Sequence, residues 1–152
     1  MKPTVYFATD HAGFELKNIL VAFVRDELGY EVVDCGPVTF DALDDYPDFI
    51  SVAAREISNS PTHKAIILGG SGQGEAMVAN RFPNVRATVF YNGPAEILTL
   101  SREHNDANVL SLGARFFEDD EAKQAVTTWL EASFSGDERH IRRIKKIEHV
   151  TK

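Results

Sequence analysis

Four glycines lie within six residues in the segment Gly69-Gly70-Ser71-Gly72-Gln73-Gly74, which follows the apolar run Ala65-Ile66-Ile67-Leu68 and leads into Glu75. Glycines let a backbone approach a ligand closely, and a helix behind them aims free N–H groups at an anion. No lysine follows the last glycine, so this is not a Walker A loop. Nor is it the dinucleotide fingerprint, because Gly70, Gly72 and Gly74 are misspaced and Glu75 stands where the third glycine belongs. A tight strand-to-helix turn is the plain alternative for the same residues. Glu75 is then either a first-turn carboxylate favoured by the helix dipole or a general base aimed into a cleft. The dipole lowers its pKa and burial raises it.

Three further groups carry reactive side chains. Asp10-His11 ends the apolar run Val5 to Ala8, where Asp10 suits a helix N-cap and the pair suits proton transfer or anion binding. Arg102-Glu103-His104-Asn105-Asp106 reads as an exposed helix end, with His104 able to exchange a proton near neutral pH. Arg139 to Lys146 is the one basic cluster. Arg139 and Arg143 stand one helical turn apart on one side, a fork suited to a phosphate dianion or to a solvated face. No metal is expected, since no pair of ligands has a standard helical spacing such as H-E-x-x-H.

The elements that must hold these residues alternate regularly. Strands are expected at Val5 to Ala8, Glu31 to Cys35, Ala65 to Leu68, Ala87 to Phe90 and Val109 to Leu112. Helices are expected at Phe14 to Leu28, from Pro47 through Ile57, from near Glu75, at Ala95 to His104, at Glu121 to Ala132, and from Arg139 onward. The stretch Val38 to Asp48 between them reads as an acidic loop. Strand and helix repeated about five times predict an α/β protein, a five-stranded parallel sheet with helices on both faces. Ligands in such sheets bind beyond the carboxyl ends of the strands. Asp10-His11, Gly69 to Glu75 and Arg115 each follow a strand, so they should gather on one rim.

Composition narrows the function. The 152 residues suit a single domain, 1–152, and its 43% hydrophobic and 26% charged content is that of a globular chain. A net charge of -7 disfavours nucleic acid and anionic lipid as partners. Cys35 is the only cysteine, which excludes an internal disulfide and a cysteine zinc site. The apolar runs fall far short of the ~20 residues needed to cross a bilayer. The opening residues do not resemble a signal peptide, and a cytoplasmic protein is expected.

Taken in order, Asp10-His11-Ala12-Gly13-Phe14 with Leu16-Lys17, Asp45-Tyr46-Pro47, Gly69 to Glu75 with Ala79-Asn80, Arg102 to Asn105, and Arg139-His140 with Arg143 resemble the type B ribose-5-phosphate isomerases. Their superfamily also holds the galactose-6-phosphate isomerase subunits. The resemblance implies a Rossmann-like three-layer sandwich, no cofactor, and aldose–ketose interconversion of ribose 5-phosphate and ribulose 5-phosphate through an enediolate. It also implies a homodimer with active sites at the interface, or a tetramer. The C-terminal helix from about 138 would close the phosphate site or that interface. In one branch of the family a cysteine just before the loop is the base. Gly69 holds that position here, so the chain is similar to the branch whose base is the glutamate, Glu75.

By the same resemblance, Gly70, Ser71, Gly72 and Gly74 would stabilise the enediolate, His104 would open the sugar ring beside Asn105, and Asp10 would handle protons at the sugar oxygens. His11, Arg139 and Arg143 would bind phosphate, with Arg115 joining from the neighbouring subunit and Tyr46 walling the cleft. An isomerase of a four- or six-carbon sugar phosphate, and a non-catalytic phosphate- or nucleotide-binding module, are the alternatives.

Overall fold

The computed structural model describes all 152 residues. Five short strands, β1 (Val5–Ala8), β2 (Val32–Asp34), β3 (Lys64–Gly69), β4 (Ala87–Phe90) and β5 (Val109–Gly113), form one sheet in the order β2-β1-β3-β5-β4. Every pairing is parallel; Phe7, for instance, lies opposite Ile66, and Ile66 opposite Leu110. Six helices complete the fold: α1 (Phe14–Asp26), α2 (Tyr46–Asn59), α3 (Gln73–Ala79), α4 (Glu96–Glu103), α5 (Asp119–Glu131) and α6 (Glu138–His149).

The central strands read as unbroken apolar runs because both their faces are covered. Successive side chains of β3 point to opposite faces. Ile66 and Leu68 enter a core with Phe7, Leu110 and Leu112, closed by Leu20 and Val24 of α1, Leu98 of α4 and Trp129 of α5. Ala65 and Ile67 enter the opposite core, closed by Ile50, Ala53 and Ile57 of α2 and Ala79 of α3. The result is the expected three-layer sandwich. Each fully buried Leu or Ile contributes roughly 1.5–3 kcal/mol of hydrophobic transfer.

α6 stands apart. It contributes no residue to either core, and His140 is its one buried residue. Its distal end is tied to the body through Glu148, which accepts from the Arg86 guanidinium at 3.1 Å and from the Asn84 amide at 3.2 Å.

The element bounds differ from expectation in small ways. β2 is shorter than Glu31 to Cys35, although the Glu31 carbonyl and the Cys35 amide still bond to β1. α2 begins at Tyr46, with Asp45 at its N-cap position but making no side-chain capping bond, so Pro47 sits inside the first turn rather than starting it. α1 ends two residues before Leu28, and Gly29 then turns away at φ 71°. Two 3-10 turns, His11–Gly13 and Ala114–Phe116, were not expected; three residues are too few to show a period. The chain runs from β1 outward to β2 and then returns to β3 on the other side of β1. That reversal is the switch point where an open α/β sheet splits its loops into a crevice.

Candidate active site

The crevice at the carboxyl ends of β1 and β3 is a cleft of about 420 Å³. Asp10, His11 and Ala12 line it from the end of β1, Gly70, Ser71, Gly74 and Glu75 from the end of β3, Tyr46 from the head of α2, and Arg115 and Phe116 from the turn after β5. Thr9 Oγ donates to the Leu68 carbonyl at 3.0 Å and locks the ends of β1 and β3 together.

Three side chains of the cleft lie over the loop glycines. A Cβ at Gly69 would overlap the Glu75 carboxylate, one at Gly74 would stand 2.6 Å from the Tyr46 hydroxyl, and one at Gly70 would stand 3.0 Å from the Arg115 guanidinium carbon. The loop is glycine-rich because these side chains need its surface. Gly72 has another task. It turns left-handed at φ 78° to cap α3, with Leu112 and Gly113 of β5 packed behind it, and its carbonyl accepts from Ser111 Oγ at 2.6 Å. Gly72 is therefore not on the cleft wall, contrary to its expected place beside the ligand.

Glu75 is 4% exposed. Burial raises its carboxyl pKa above the ordinary glutamate value, and the charge of Asp10 adds to this, against a lowering bond from its own backbone N–H. Asp10 is the N-cap that its sequence position suggests. Its carboxylate accepts from the Ala12 amide at 2.9 Å as the cap of the 3-10 turn, and it also faces the cleft. His11 Nδ1 lies 2.7 Å from Asp44 Oδ1, and that bond is the main reason its pKa is raised. Asp10, His11 and Asp44 bring ligand-type atoms within 4.8 Å of one another. The 2.7 Å spacing is a hydrogen bond, and the trio is an acid–imidazole pair with a second carboxylate beside it.

Arg115 was expected from a neighbouring subunit, and here the structure corrects that expectation. The turn after β5 aims it into the cleft of its own chain, held by its backbone N–H donating to the Gly70 carbonyl at 3.3 Å. His104, Asn105, Arg139 and Arg143 do not line that cleft. His104 stacks instead on His140, with ring centroids 4.4 Å apart. His140 is 3% exposed, and burial first, then the neighbouring His104, Arg139 and Arg143, lower its pKa. Two imidazoles and two guanidinium groups thus gather where α4 ends and α6 begins. Asn105 faces a separate cavity with Asn80 and Arg86.

Sequence reasoning missed Ala12, Phe116 and Asp44. The first two are apolar wall residues with no chemical signature. Asp44 was one carboxylate among several in an acidic loop.

A doubly wound parallel sheet with a buried carboxylate, an acid–imidazole pair and a guanidinium at its switch point defines an α/β protein built to handle a small anionic substrate. The chain belongs to the ribose/galactose isomerase family, whose model, described as Ribose/Galactose Isomerase, matches residues 5–147. It is 39% identical over 140 residues to ribose-5-phosphate isomerase B of Mycolicibacterium paratuberculosis, covering 92% of this chain and 86% of that one. It is 36% identical over 146 residues to ribose-5-phosphate isomerase B of Escherichia coli, covering 96% and 95%. Among solved structures, ribose-5-phosphate isomerase B of Mycoplasma genitalium with bound ribulose-5-phosphate superposes with a TM-score of 0.91 at 38% identity, covering 99% of this chain and 97% of that one.

Proposed function

We propose that this chain interconverts ribose 5-phosphate and ribulose 5-phosphate, with Glu75 as the base. The observation that carries this is the buried Glu75 carboxylate, raised in pKa, lying over a glycine loop at the sheet's switch point. A carbon acid next to a carbonyl is weak, so its base works best with a pKa brought closer to neutral.

In the aldose-to-ketose direction the Glu75 carboxylate takes the C2 proton of the open-chain sugar, and the electron pair moves onto the C1 carbonyl oxygen as an enediolate. Backbone N–H groups of the cleft-lining Gly70, Ser71 and Gly74, with the Ser71 hydroxyl, hold that oxyanion. The same carboxyl returns its proton to C1 while the O2 proton passes to O1, so that O2 becomes the ketone and O1 the C1 hydroxyl. Asp10 serves these oxygen protons, and Tyr46 walls the sugar. His104 opens the ring beside Asn105. His11, Arg115, Arg139 and Arg143 bind the phosphate.

These roles need two copies. His104, Arg139 and Arg143 do not line the cleft of their own chain, and α6 carries exposed Ile141 and Ile147 outside both cores. A homodimer in which the α6 region of one copy meets the cleft of the other completes the site, and a tetramer could pair such dimers. In this reading residues 1–152 are one domain acting in the cytoplasm without a cofactor. No helix is long and apolar enough to cross a membrane.

Proton NMR of the protein with ribose 5-phosphate in D2O tests the reaction. Ketose formation with deuterium entering at the transferred hydrogen is expected, and an unaltered, undeuterated aldose would refute it. A second reading, isomerisation of another sugar phosphate, is favoured by the family description naming two sugars. A panel of four- to six-carbon aldose phosphates distinguishes the two.

A further inference from the structure

We propose that Asp44 is a positioning residue that holds His11 as an imidazolium aimed at the substrate's phosphate, so that the acidic loop sets how sugar-phosphate affinity depends on pH. The proposal rests on the reading of His11 as a phosphate ligand.

The hydrogen-bond pattern assigns the proton. The backbone N–H of His11 donates to Asp44 Oδ1 at 3.0 Å, and Nδ1 of the same residue meets the same oxygen at 2.7 Å. A carboxylate oxygen only accepts, so Nδ1 carries a hydrogen. In a neutral ring with that hydrogen fixed, Nε2 has only a lone pair, which repels a phosphate oxygen. Nε2 becomes a donor only when the ring is charged. Asp44 thereby removes the neutral tautomer that could still donate to phosphate, and it stabilises the charged form that donates best.

The burial of Asp44 points the same way. Its side chain is 7% exposed, and its second oxygen, Oδ2, is buried with no hydrogen-bond partner. A buried carboxylate so poorly solvated needs a countercharge, and His11 supplies it. The other charges facing His11 divide in sign. The Asp10 carboxylate, 4.0 Å from Nδ1, favours the imidazolium, while Arg115 opposes it. Glu75 shares the cleft. Phe40, from the same loop as Asp44, packs edge-on to the His11 ring at 6.5 Å and rests on Phe14 at 5.9 Å. Two side chains of one loop therefore fix the ring.

The test uses full-length protein in its native oligomer, labelled with 15N-histidine. The His11 signal is assigned by its loss in His11→Gln. Asp44→Asn keeps an accepting oxygen and removes the charge; Asp48→Asn removes a charge from the exposed start of α2 without touching His11. The readouts are the His11 titration midpoint, the Kd for inorganic phosphate, and kcat and KM for ribose 5-phosphate, each at pH 5.5 and pH 8. Inorganic phosphate and the sugar phosphate both take their second ionisation within this pH range, so variants are compared at the same pH, where that contribution cancels.

In Asp44→Asn the His11 midpoint should fall. Kd and KM should rise about tenfold at pH 8, where a charge-assisted contact is lost, and stay within about twofold at pH 5.5, where the ring is charged in both proteins. kcat should change by less than about threefold, and Asp48→Asn should match the wild type. An unmoved midpoint, or an equal loss of affinity at both pH values, would overturn the proposal. If Asp44→Asn does not fold, His11→Gln decides: phosphate affinity must lose its additional decline between pH 5.5 and pH 8, and a retained decline rejects the pair. Absence of ribose 5-phosphate turnover in the wild type would refute the isomerase reading alone, because the midpoint and inorganic phosphate arms need no reaction.

Discussion

Replacing Glu75 by Gln is the most informative perturbation, because it changes one proton-accepting atom and almost no volume. The amide fits the same space over Gly69, so the loop keeps its shape. What is lost is the base, and a positioned general base contributes ~10²–10⁴ in rate, or about 3–5 kcal/mol of barrier. The expected result is a fall in kcat of that size with KM altered by less than about threefold, since the phosphate contacts are untouched. Stability adds an independent check. The carboxyl pKa of Glu75 is raised in the folded state, so ionising it costs stability as pH rises above the ordinary glutamate value. Glu75→Gln removes that cost. Its Tm should equal or exceed the wild type at pH 7, and the difference should vanish below about pH 4, where the wild-type carboxyl is protonated folded or unfolded. Steady-state kinetics and thermal melts at the two pH values measure both. A variant turning over within about tenfold of wild type would refute Glu75 as base. A variant less stable at pH 7 than at pH 4, relative to wild type, would refute the burial argument.

Gly69→Ala should cost at least about 100-fold in kcat with little loss of Tm, because the new methyl group displaces the mobile end of Glu75 rather than backbone; normal kinetics would show that the carboxylate need not lie over Gly69. Co-expressing Glu75→Gln with an Arg139→Ala/Arg143→Ala double variant should restore roughly a quarter of wild-type activity, since half the dimers are mixed and each has one intact site. No restoration would mean that both halves of the site come from one chain. Burial pushes the Cys35 thiol up to about 11, so alkylation at pH 8 should be slow and, with the protein folded, should leave turnover unchanged. Mass spectrometry alongside an activity assay measures this.

The sheet was legible because β1, β3 and β5 are covered on both faces, which requires the uninterrupted apolar runs at Val5, Ala65 and Val109. The rim was legible because each of these strands ends in a polar cluster at its carboxyl end. The 3-10 turns at His11 and Ala114 were not, being shorter than any period. Asp44 was hidden for a different reason. Asp41, Asp44, Asp45 and Asp48 are indistinguishable as letters, and Asp44 alone is brought against His11.

By themselves, the residues determined the class of fold, the glycine loop with its carboxylate, and the resemblance that carries the substrate. These are local properties, since hydrophobic periodicity and short motifs act within one strand–helix unit. The tertiary structure decided which polar residues share a cleft. It seated Arg115 beside Gly70 of its own chain, turned Gly72 toward β5, grouped His104 with His140 away from Glu75, and buried an oxygen of Asp44 without a partner. Each outcome depends on the order in which five parallel strands lie side by side, and that order brings together residues distant along the chain.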